Sequence, residues 1–329
     1  MRVLVTGAAG FIGSHLSERL LRDGHTVVGV DSFTTYYDVA LKRARLARPE
    51  LSGLKVIEGD LADAAFCARL FADGGFERVY HLAAQAGVRF SLESPHSYLH
   101  SNVTGFLNVL EGLRHHPAQH AIYASSSSVY GDDSPQPFRE DAPADTPVSL
   151  YAATKRAGEL MASSYAHLFG TPLTGVRFFT VYGPWGRPDM AYFKFADAIL
   201  ADRPIELYGD GQLARDFTAV DDVVEGLVRL GPLPKVGPRP HRVLNIGAGH
   251  PVTVLEVVSA LERALGRSAK RRSAPLQPGD VTATWADTTA LEALTGFKPS
   301  VTLESGIARF ARWFEAEWSP VARSSQRPE

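Results

Sequence analysis

The hydrophobic residues of the chain form short continuous runs and do not alternate with polar residues. Runs rich in Val and Ile are RVLVTG, HTVVGVD, LKVIEGD, ERVYHLA and QHAIYAS, and PLTGVRFFTVYG and RVLNIGAG follow later. Continuous apolar runs are typical of strands that are covered on both faces. Helical patterns such as SHLSERLLRDG, DAAFCARLFADGG and residues 103–114 separate them. This order predicts an α/β fold with a doubly wound parallel sheet.

Two stretches depart from the alternation. Residues 131–149 are polar and rich in Pro, which predicts either a functional loop beside a site or a floppy one. From about residue 183 the chain is punctuated by Pro and Gly, interrupted by DFTAVDDVVEGLVRL, which has the pattern of a helix returning to the first domain. We predict one domain from residues 1–180 and about 217–247, a smaller mixed α/β lobe from 181–216 and 248–320, and a disordered tail at 320–329.

The composition argues against several classes of protein. Of 329 residues, 45% are hydrophobic and 21% charged, and the formal net charge is −2, so no overall charge attracts nucleic acid or an anionic membrane. No apolar run approaches the roughly 20 residues of a membrane span, and no signal-peptide pattern precedes the first strand. The single cysteine, Cys67, excludes an internal disulfide, and the histidines lack metal-ligand spacing. We expect a cytoplasmic protein without a metal.

Three glycines between the first strand and the first helix indicate a dinucleotide site. In VTGAAGFIGSHL they are Gly7, Gly10 and Gly13. Glycine permits a tight turn and lets backbone N–H groups approach a pyrophosphate at the positive end of the helix. The second strand ends in Asp31, whose carboxylate would bind the adenosine ribose hydroxyls and repel a 2′-phosphate. The pattern predicts a Rossmann-type domain that binds NAD in preference to NADP.

Tyr151 and Lys155, in SLYAATKRAGELMASSY, are four residues apart and therefore lie on one face of a helix. An alcohol loses hydride only when a base removes its hydroxyl proton, and a free Tyr has a pKa of about 10. A neighbouring ammonium and a positive nicotinamide ring both favour the phenolate, and we expect them to bring its pKa to about 7. With the glycine loop, the pair predicts NAD-dependent oxidation of an alcohol.

The motifs resemble, across nearly the whole chain, those of the extended short-chain dehydrogenase/reductases that act on nucleotide sugars. They are TGAAGFIGSHL, HLAAQAGVRFS, ASSSSVYG, YAATK, RFFTVYGPWGRPDM and RDFTAVDDVVEG. Within that family, AAQAGVR and TVYGPWGRPDM are most similar to the UDP-glucuronate 4-epimerases. The resemblance implies reversible inversion at C4 of UDP-glucuronate to UDP-galacturonate. The expected steps are hydride transfer to tightly bound NAD, rotation of a 4-keto sugar and return of the hydride. It also implies a homodimer.

The resemblance further implies a set of residues that contact NAD. They are Gly7, Gly10, Phe11, Ile12, Gly13, Asp31, Asp60, Leu61, Leu82, Ala83, Ala84, Asn102, Ser125, Tyr151, Lys155 and Phe178.

The serine run in ASSSSVYG discriminates between reactions of this family. The serine four positions before the tyrosine of this motif is expected to bond the reacting 4-hydroxyl and the base, which here is Ser126, with Ser127 as the fallback. Relatives that dehydrate or decarboxylate the sugar carry Glu immediately before Val-Tyr-Gly, where this chain has Ser128, a further substrate contact. Without an acid there, return of the hydride is the easy fate of the 4-keto sugar. The serines therefore favour epimerisation.

The resemblance places a uronate reader after the strand that carries Thr180. Thr180 and Arg187 are expected on the sugar carboxylate, because the planar fork of Arg pairs two oxygens at once. Many glucose-type epimerases have Asn at the position of Thr180 and Arg at that of Gln277, another expected substrate contact. Both differences point away from neutral hexoses.

Three other residues are expected on the nucleotide sugar. Arg215 is similar to the diphosphate-binding arginine of the family, Asp280 is expected on the uridine ribose, and Arg89 is a weaker candidate. For each arginine a surface ion pair is the alternative.

Three other functions stay open at this point. A decarboxylase that makes a UDP-pentose is disfavoured by Ser128, and an epimerase of neutral UDP-hexoses ranks below it. An NAD-sensing protein without catalysis is the alternative of another class, and the retained Tyr151, Lys155 and Ser126 count against it.

Overall fold

The computed structural model describes residues 1–275 and 283–318. The strands are β1 (Arg2–Thr6), β2 (Thr26–Asp31), β3 (Lys55–Glu58), β4 (Arg78–His81), β5 (His120–Ser126), β6 (Leu173–Phe178), β7 (Thr180–Tyr182), β8 (Ile205–Tyr208), β9 (Ala214–Arg215), β10 (Phe217–Ala219), β11 (His241–Ile246), β12 (Val252–Thr253), β13 (Arg271–Ala274) and β14 (Ala283–Thr284). The α-helices are α1 (Phe11–Arg22), α2 (Val39–Leu46), α3 (Ala64–Gly74), α4 (Phe90–Glu93), α5 (Pro95–Tyr98), α6 (Gly105–His115), α7 (Leu150–Phe169), α8 (Ala191–Leu200), α9 (Val220–Leu230), α10 (Val254–Leu265), α11 (Thr289–Thr295) and α12 (Leu303–Trp313). Short 3-10 helices cover Pro49–Leu51, Ser127–Tyr130 and Gly209–Gly211, and π-helical turns cover Leu99–Thr104 and Phe314–Trp318.

The central sheet has the strand order β11-β6-β5-β4-β1-β2-β3, and all of its pairings are parallel. Helices cover both faces, as β1 illustrates. Val3 and Val5 join a core with α1 and α9, whereas Leu4 joins the core on the opposite face with α3, α6 and α7. Burial of both faces explains why the strands are continuously apolar. The predicted α/β fold with a doubly wound parallel sheet is confirmed.

A second core lies outside the sheet, where aromatic and aliphatic side chains of α8, α10 and α12 meet. Residues 217–246 pack against the central sheet again. There β10 pairs with β7, α9 covers one face of the sheet, and β11 pairs with β6 at its edge. The pattern of DFTAVDDVVEGLVRL predicted this helix but not the short strand before it. The division into two domains stays a prediction.

The Pro-rich segment 131–149 is anchored to the rest of the protein. Phe138 is buried, stacks on Tyr130 with ring centres 4.6 Å apart, and exchanges backbone hydrogen bonds of 2.9 Å with Trp285 and Asp287. Of the two interpretations of this segment, these contacts favour the ordered loop over the floppy one. The predicted tail at 320–329 lies outside the described residues.

The serine run continues a central strand. Ser125 and Ser126 are the last residues of β5, and the 3-10 helix Ser127–Tyr130 follows directly. In open parallel sheets ligands bind beyond the carboxyl ends of the strands. The fold therefore brings the serines to the edge where the glycine loop also lies.

Candidate active site

One cavity opens at the carboxyl ends of β1 to β6. Most of the residues predicted to contact NAD line it. They are Gly7, Gly10, Phe11, Ile12, Gly13, Asp31, Asp60, Leu61, Leu82, Ala83, Ala84, Ser125, Tyr151, Lys155 and Phe178. Ser126 and Arg187 line the same cavity. The structure thus gathers into one site most of the predicted cofactor residues, three of the predicted catalytic residues (Ser126, Tyr151 and Lys155) and the predicted carboxylate reader Arg187.

The glycine loop fits a dinucleotide because its backbone is packed too closely for side chains. Gly7 has a left-handed φ of 69°, and a Cβ there would lie 2.9 Å from the backbone nitrogen of Ala83. A Cβ on Gly13 would lie 2.1 Å from the carbonyl oxygen of Gly7. The N–H groups of Gly7 to Gly10 bond to protein acceptors, so the donors left for a phosphate are those of the first turn of α1, whose Phe11, Ile12 and Gly13 line the cavity at the positive end of the helix.

Asp31 is held at the end of β2 by backbone donors. Its carboxylate accepts hydrogen bonds from the N–H groups of Ala9 at 3.1 Å and Phe33 at 2.9 Å, and it is only 7% exposed. The ammonium of Lys42 lies 3.6 Å from it and also lines the cavity. Sequence reasoning missed Lys42. Its positive charge offsets part of the negative charge of Asp31, which was the reason to expect NAD in preference to NADP.

Tyr151 and Lys155 lie in the first turns of α7, which Ser149 caps by accepting a hydrogen bond from the N–H of Ala152. The ammonium of Lys155 donates to the carbonyl of Ala124 at 3.0 Å and lies 6.0 Å from the centre of the Tyr151 ring. Burial lowers the pKa of Lys155 to about 8. The predicted pair is therefore on one helix face and in the cavity.

The electrostatics of Tyr151 differ from the expectation. Burial raises the pKa of its phenol above the ordinary value, while a hydrogen bond with Ser126 and the positive charge of Arg187 lower it, and the charge of Asp189 raises it further. The expected lowering to about 7 is not a property of the protein alone. The Lys155 ammonium, engaged with a carbonyl, is not among the main causes.

Ser126 is the serine that bonds to Tyr151 in the cavity. It is 8% exposed, lines the cavity, donates to the hydroxyl of Ser128 at 3.2 Å and accepts from the backbone N–H of Ser128 at 3.2 Å. Ser127 is not among the residues lining the cavity. Ser125 donates at 2.6 Å to Glu159, a buried carboxylate that also pairs with Arg177. The geometry thus favours Ser126 over Ser127.

Asn102 lies behind the cavity and bonds to protein groups. Its side-chain oxygen accepts from the N–H of Gln85 at 2.8 Å, and its nitrogen donates to the Gln85 carbonyl and the Thr154 hydroxyl. These bonds tie the residues after β4 to α7. A direct contact of Asn102 with NAD stays a prediction.

Arg187, in the loop between β7 and α8 (the 183–190 loop), has a protein partner that the sequence did not reveal. Its guanidinium pairs with both carboxylate oxygens of Asp189, with Nε donating at 3.0 Å. The hydroxyl of Tyr36, from the β2–α2 connection, donates to the same carboxylate at 3.1 Å. Thr180 donates through its backbone N–H to Asp216 at 3.0 Å and is not among the residues lining the cavity.

The remaining predicted substrate residues are not among those lining the cavity or lie outside the described residues. The guanidinium of Arg89 lies 5.0 Å from the ring centre of Tyr208, and Arg215 on β9 donates to the carbonyl of Ala214 at 2.8 Å. Gln277 and Asp280 are not among the residues that the structure describes. The substrate roles of these four residues stay predictions.

A buried arginine on α2, also missed, holds the two halves of the site together. Arg45 is 0% exposed and donates to the carbonyls of Ala9 at 3.1 Å, Trp185 at 2.9 Å and Gly186 at 2.9 Å, and to the hydroxyl of Tyr37 at 2.7 Å. It thereby joins the glycine loop to the 183–190 loop. Trp185 has a left-handed φ of 60°, a conformation uncommon for residues with a Cβ.

The described residues contain neither a membrane-spanning helix nor a group of metal ligands. No helix there is long and apolar enough to cross a membrane. No group of three or more His, Cys, Asp or Glu side chains in residues 1–275 and 283–318 is arranged to hold a metal ion.

Comparison with known proteins agrees with this geometry. Residues 3–247 match the family model described as the NAD dependent epimerase/dehydratase family. A probable UDP-glucuronate 4-epimerase of Rhizobium meliloti is 49% identical over 334 residues, covering 97% of this chain and 98% of that protein. UDP-glucuronate 4-epimerase 3 of Arabidopsis thaliana is 49% identical over 328 residues, 95% of this chain and 76% of that protein.

A solved structure is similar over almost the same length. The UDP-glucuronic acid 4-epimerase of Bacillus cereus, crystallised with UDP-glucuronic acid and NAD, superposes with a TM-score of 0.88. It is 36% identical, with 96% of this chain and 99% of that chain covered. Together with the glycine loop, the Tyr-Lys pair and the parallel sheet, these likenesses show that the chain belongs to the NAD-dependent epimerase/dehydratase family.

Proposed function

We propose that the protein is an isomerase, a UDP-glucuronate 4-epimerase that interconverts UDP-glucuronate and UDP-galacturonate with NAD as its cofactor. The observation that carries the proposal is that one cavity contains Ser126, Tyr151 and Arg187. Ser126 supplies a hydroxyl that can bond to the reacting alcohol, Tyr151 a base for the proton of that alcohol, and Arg187 a cation for the carboxylate of a uronate. Relatives with this activity in their names are 49% identical over nearly the whole chain.

NAD fits the cavity through the glycine loop and Asp31. The N–H groups at the start of α1 suit its pyrophosphate, and the Asp31 carboxylate suits the adenosine ribose. When bound, NAD supplies a reversible hydride acceptor for C4 of the sugar.

Tyr151 is the base of the reaction. It takes the proton of the 4-hydroxyl as the C4–H bond breaks, and it gives a proton back to the oxygen when C4 is reduced from the other face. Ser126, which bonds with Tyr151, orients the hydroxyl for this transfer. Burial raises the pKa of Tyr151, and the positive charge of Arg187 lowers it while the negative charge of its partner Asp189 raises it, so Arg187 offsets the effect of burial only in part.

The position of the carboxylates supports epimerisation over dehydration or decarboxylation. Of the described residues that line the cavity, those with a carboxylate are Asp31 and Asp60, which lie at the ends of β2 and after β3. The serine turn beyond β5 supplies hydroxyls and no acid. Within the described part of the chain, the turn beside Tyr151 therefore offers a 4-keto sugar no carboxylic acid that could assist elimination.

Epimerisation of a neutral UDP-hexose is the second candidate, and one observation favours it. Arg187 is already paired with Asp189, so the pair brings no net charge to the cavity. The two candidates are separated by incubating the purified protein with UDP-glucuronate or UDP-glucose, without added cofactor, and identifying the nucleotide sugars formed. Faster turnover of UDP-glucose would contradict the proposal.

The active form is a homodimer in this proposal. Apolar side chains are exposed on neighbouring helices, among them Leu107 on α6 and Leu160 and Leu168 on α7. Exposed apolar patches on adjacent helices are typical of protein interfaces. Sedimentation should show a dimer for the wild type and a monomer for Leu160→Glu. A cytoplasmic location stays a prediction from the sequence, which cell fractionation tests.

A further inference from the structure

The ion pair with Asp189 occupies one edge of the Arg187 guanidinium and leaves a second edge open. Asp189 accepts from Nε and Nη2, which form one side of the planar group. A guanidinium has five N–H donors, so the edge formed by Nη1 and the rest of Nη2 is still available for a second carboxylate. Within the described part of the chain, no residue accepts a hydrogen bond from Nη1, and Arg187 lines the cavity.

Asp189 is itself held by a residue of a distant segment. Tyr36, on the β2–α2 connection, donates its hydroxyl to Asp189 at 3.1 Å, and the Arg187 guanidinium lies 6.0 Å from the Tyr36 ring centre. The side chains of Arg187 and Asp189 are 23% and 25% exposed, so solvent screens the pair only in part. The three side chains thus link the β2–α2 connection to the 183–190 loop.

We propose that Asp189, anchored by Tyr36, is a positioning residue that fixes the open edge of Arg187 for the carboxylate of the sugar. This inference rests on the proposed function. Asp189 lowers the affinity for the sugar carboxylate, because two carboxylates then share one guanidinium and repel each other. In return it holds the direction of the hydrogen bonds, as charge-assisted bidentate pairs do.

The direction of the carboxylate matters once C4 is oxidised. The sugar is then a β-keto acid, and loss of CO₂ breaks the C5–C6 bond, whose electron pair enters the C4 carbonyl before a proton adds to C5. That bond breaks most easily when it is perpendicular to the carbonyl plane. A fixed Arg187 keeps it near the plane, so that the ketone survives until C4 is reduced again.

The substitution Asp189→Asn tests the proposal because it keeps the size of the side chain and removes its charge. We expect UDP-glucuronate to bind about tenfold more tightly, which corresponds to about 1.4 kcal/mol, since Arg187 is no longer neutralised. The affinity for UDP-glucose, which lacks the carboxylate, should not change. The proportion of decarboxylated product, a UDP-4-keto-pentose, should rise about tenfold, because Arg187 is no longer fixed and the C5–C6 bond can leave the carbonyl plane.

Two further variants make the result specific. Asp197→Asn removes a carboxylate of α8 that pairs with Arg203 at the surface, and it should change neither affinity nor products. Tyr36→Phe keeps the charge of Asp189 but removes its anchor. It should therefore raise decarboxylation without tighter binding, and it can be tested even if Asp189→Asn does not fold.

The outcomes separate the inference from the proposed function. Weaker binding of both sugars by Asp189→Asn would mean that Asp189 is only structural, and unchanged affinities and products would also overturn the inference. If the wild type forms no UDP-galacturonate, the proposed function is wrong. Calorimetric titration with the two sugars still decides whether Asp189 governs carboxylate recognition.

Discussion

The substitution Arg45→Met should destabilise the protein strongly, because it removes the buried donor that joins the glycine loop to the 183–190 loop. Arg45 donates to three carbonyls, those of Ala9, Trp185 and Gly186. A buried acceptor that loses its partner costs about 1 kcal/mol or more, which predicts a loss of about 3 kcal/mol. At about 2 °C per kcal/mol for a chain of this size, the melting temperature should fall by about 6 °C.

Thermal melting of the purified variants, followed by circular dichroism with saturating NAD throughout, measures this effect at a constant ligand contribution. Arg45→Lys retains the charge but reaches fewer of the carbonyls, so it should lie between Arg45→Met and the wild type. Arg203→Met is the matched control, since Arg203 is 58% exposed and pairs with Asp197 at the surface. A melting temperature of Arg45→Met within about 1 °C of the wild type would refute the reasoning.

Three other predictions concern the cofactor, the carboxylate and the pH dependence. Denaturing the protein as isolated should release NAD, because an epimerase regenerates its cofactor in each turnover, and finding NADP or no nicotinamide nucleotide would count against the role of Asp31. Arg187→Ala should weaken UDP-glucuronate binding roughly 30-fold or more, the lower end of the 2–5 kcal/mol lost with one partner of a desolvated charge pair. Unchanged affinity would exclude Arg187 as the carboxylate reader. Arg187→Gln should also move the rise of the pH–rate profile to higher pH, since the Arg187 charge lowers the pKa of Tyr151 and the base must be deprotonated. A rise at the same or lower pH would contradict that assignment.

The local parts of the fold and the site could be predicted from the sequence. The glycines of the first loop, the continuously apolar strands and the helical spacing of Tyr151 and Lys155 are patterns within short segments. The residue types in each of these segments have a local physical cause, such as the backbone at Gly13, which leaves no room for a Cβ. From these features we could predict the parallel sheet and most residues of the proposed cofactor and catalytic sites.

The contacts between distant segments could not be predicted in this way. Arg45 bonds to Trp185 across 140 residues and Tyr36 to Asp189 across 153 residues, and no local pattern marks either pair. The effect of burial on the pKa of Tyr151 in the protein alone could not be predicted for a related reason. Burial, the first cause of the raised pKa, depends on the packing of the whole cavity, whereas the expected help from Lys155 followed from helical spacing alone.

The central claim is that Tyr151 is the base that allows C4 of UDP-glucuronate to be inverted. Its most direct test is product analysis with UDP-glucuronate for the wild type and Tyr151→Phe, with the bound NAD of both measured. The wild type should form UDP-galacturonate. The variant should lose about 10²–10⁴-fold in rate, the usual contribution of a general base, while keeping its fold and NAD. A variant that retains more than roughly a tenth of the wild-type rate, well above that range, would contradict the account.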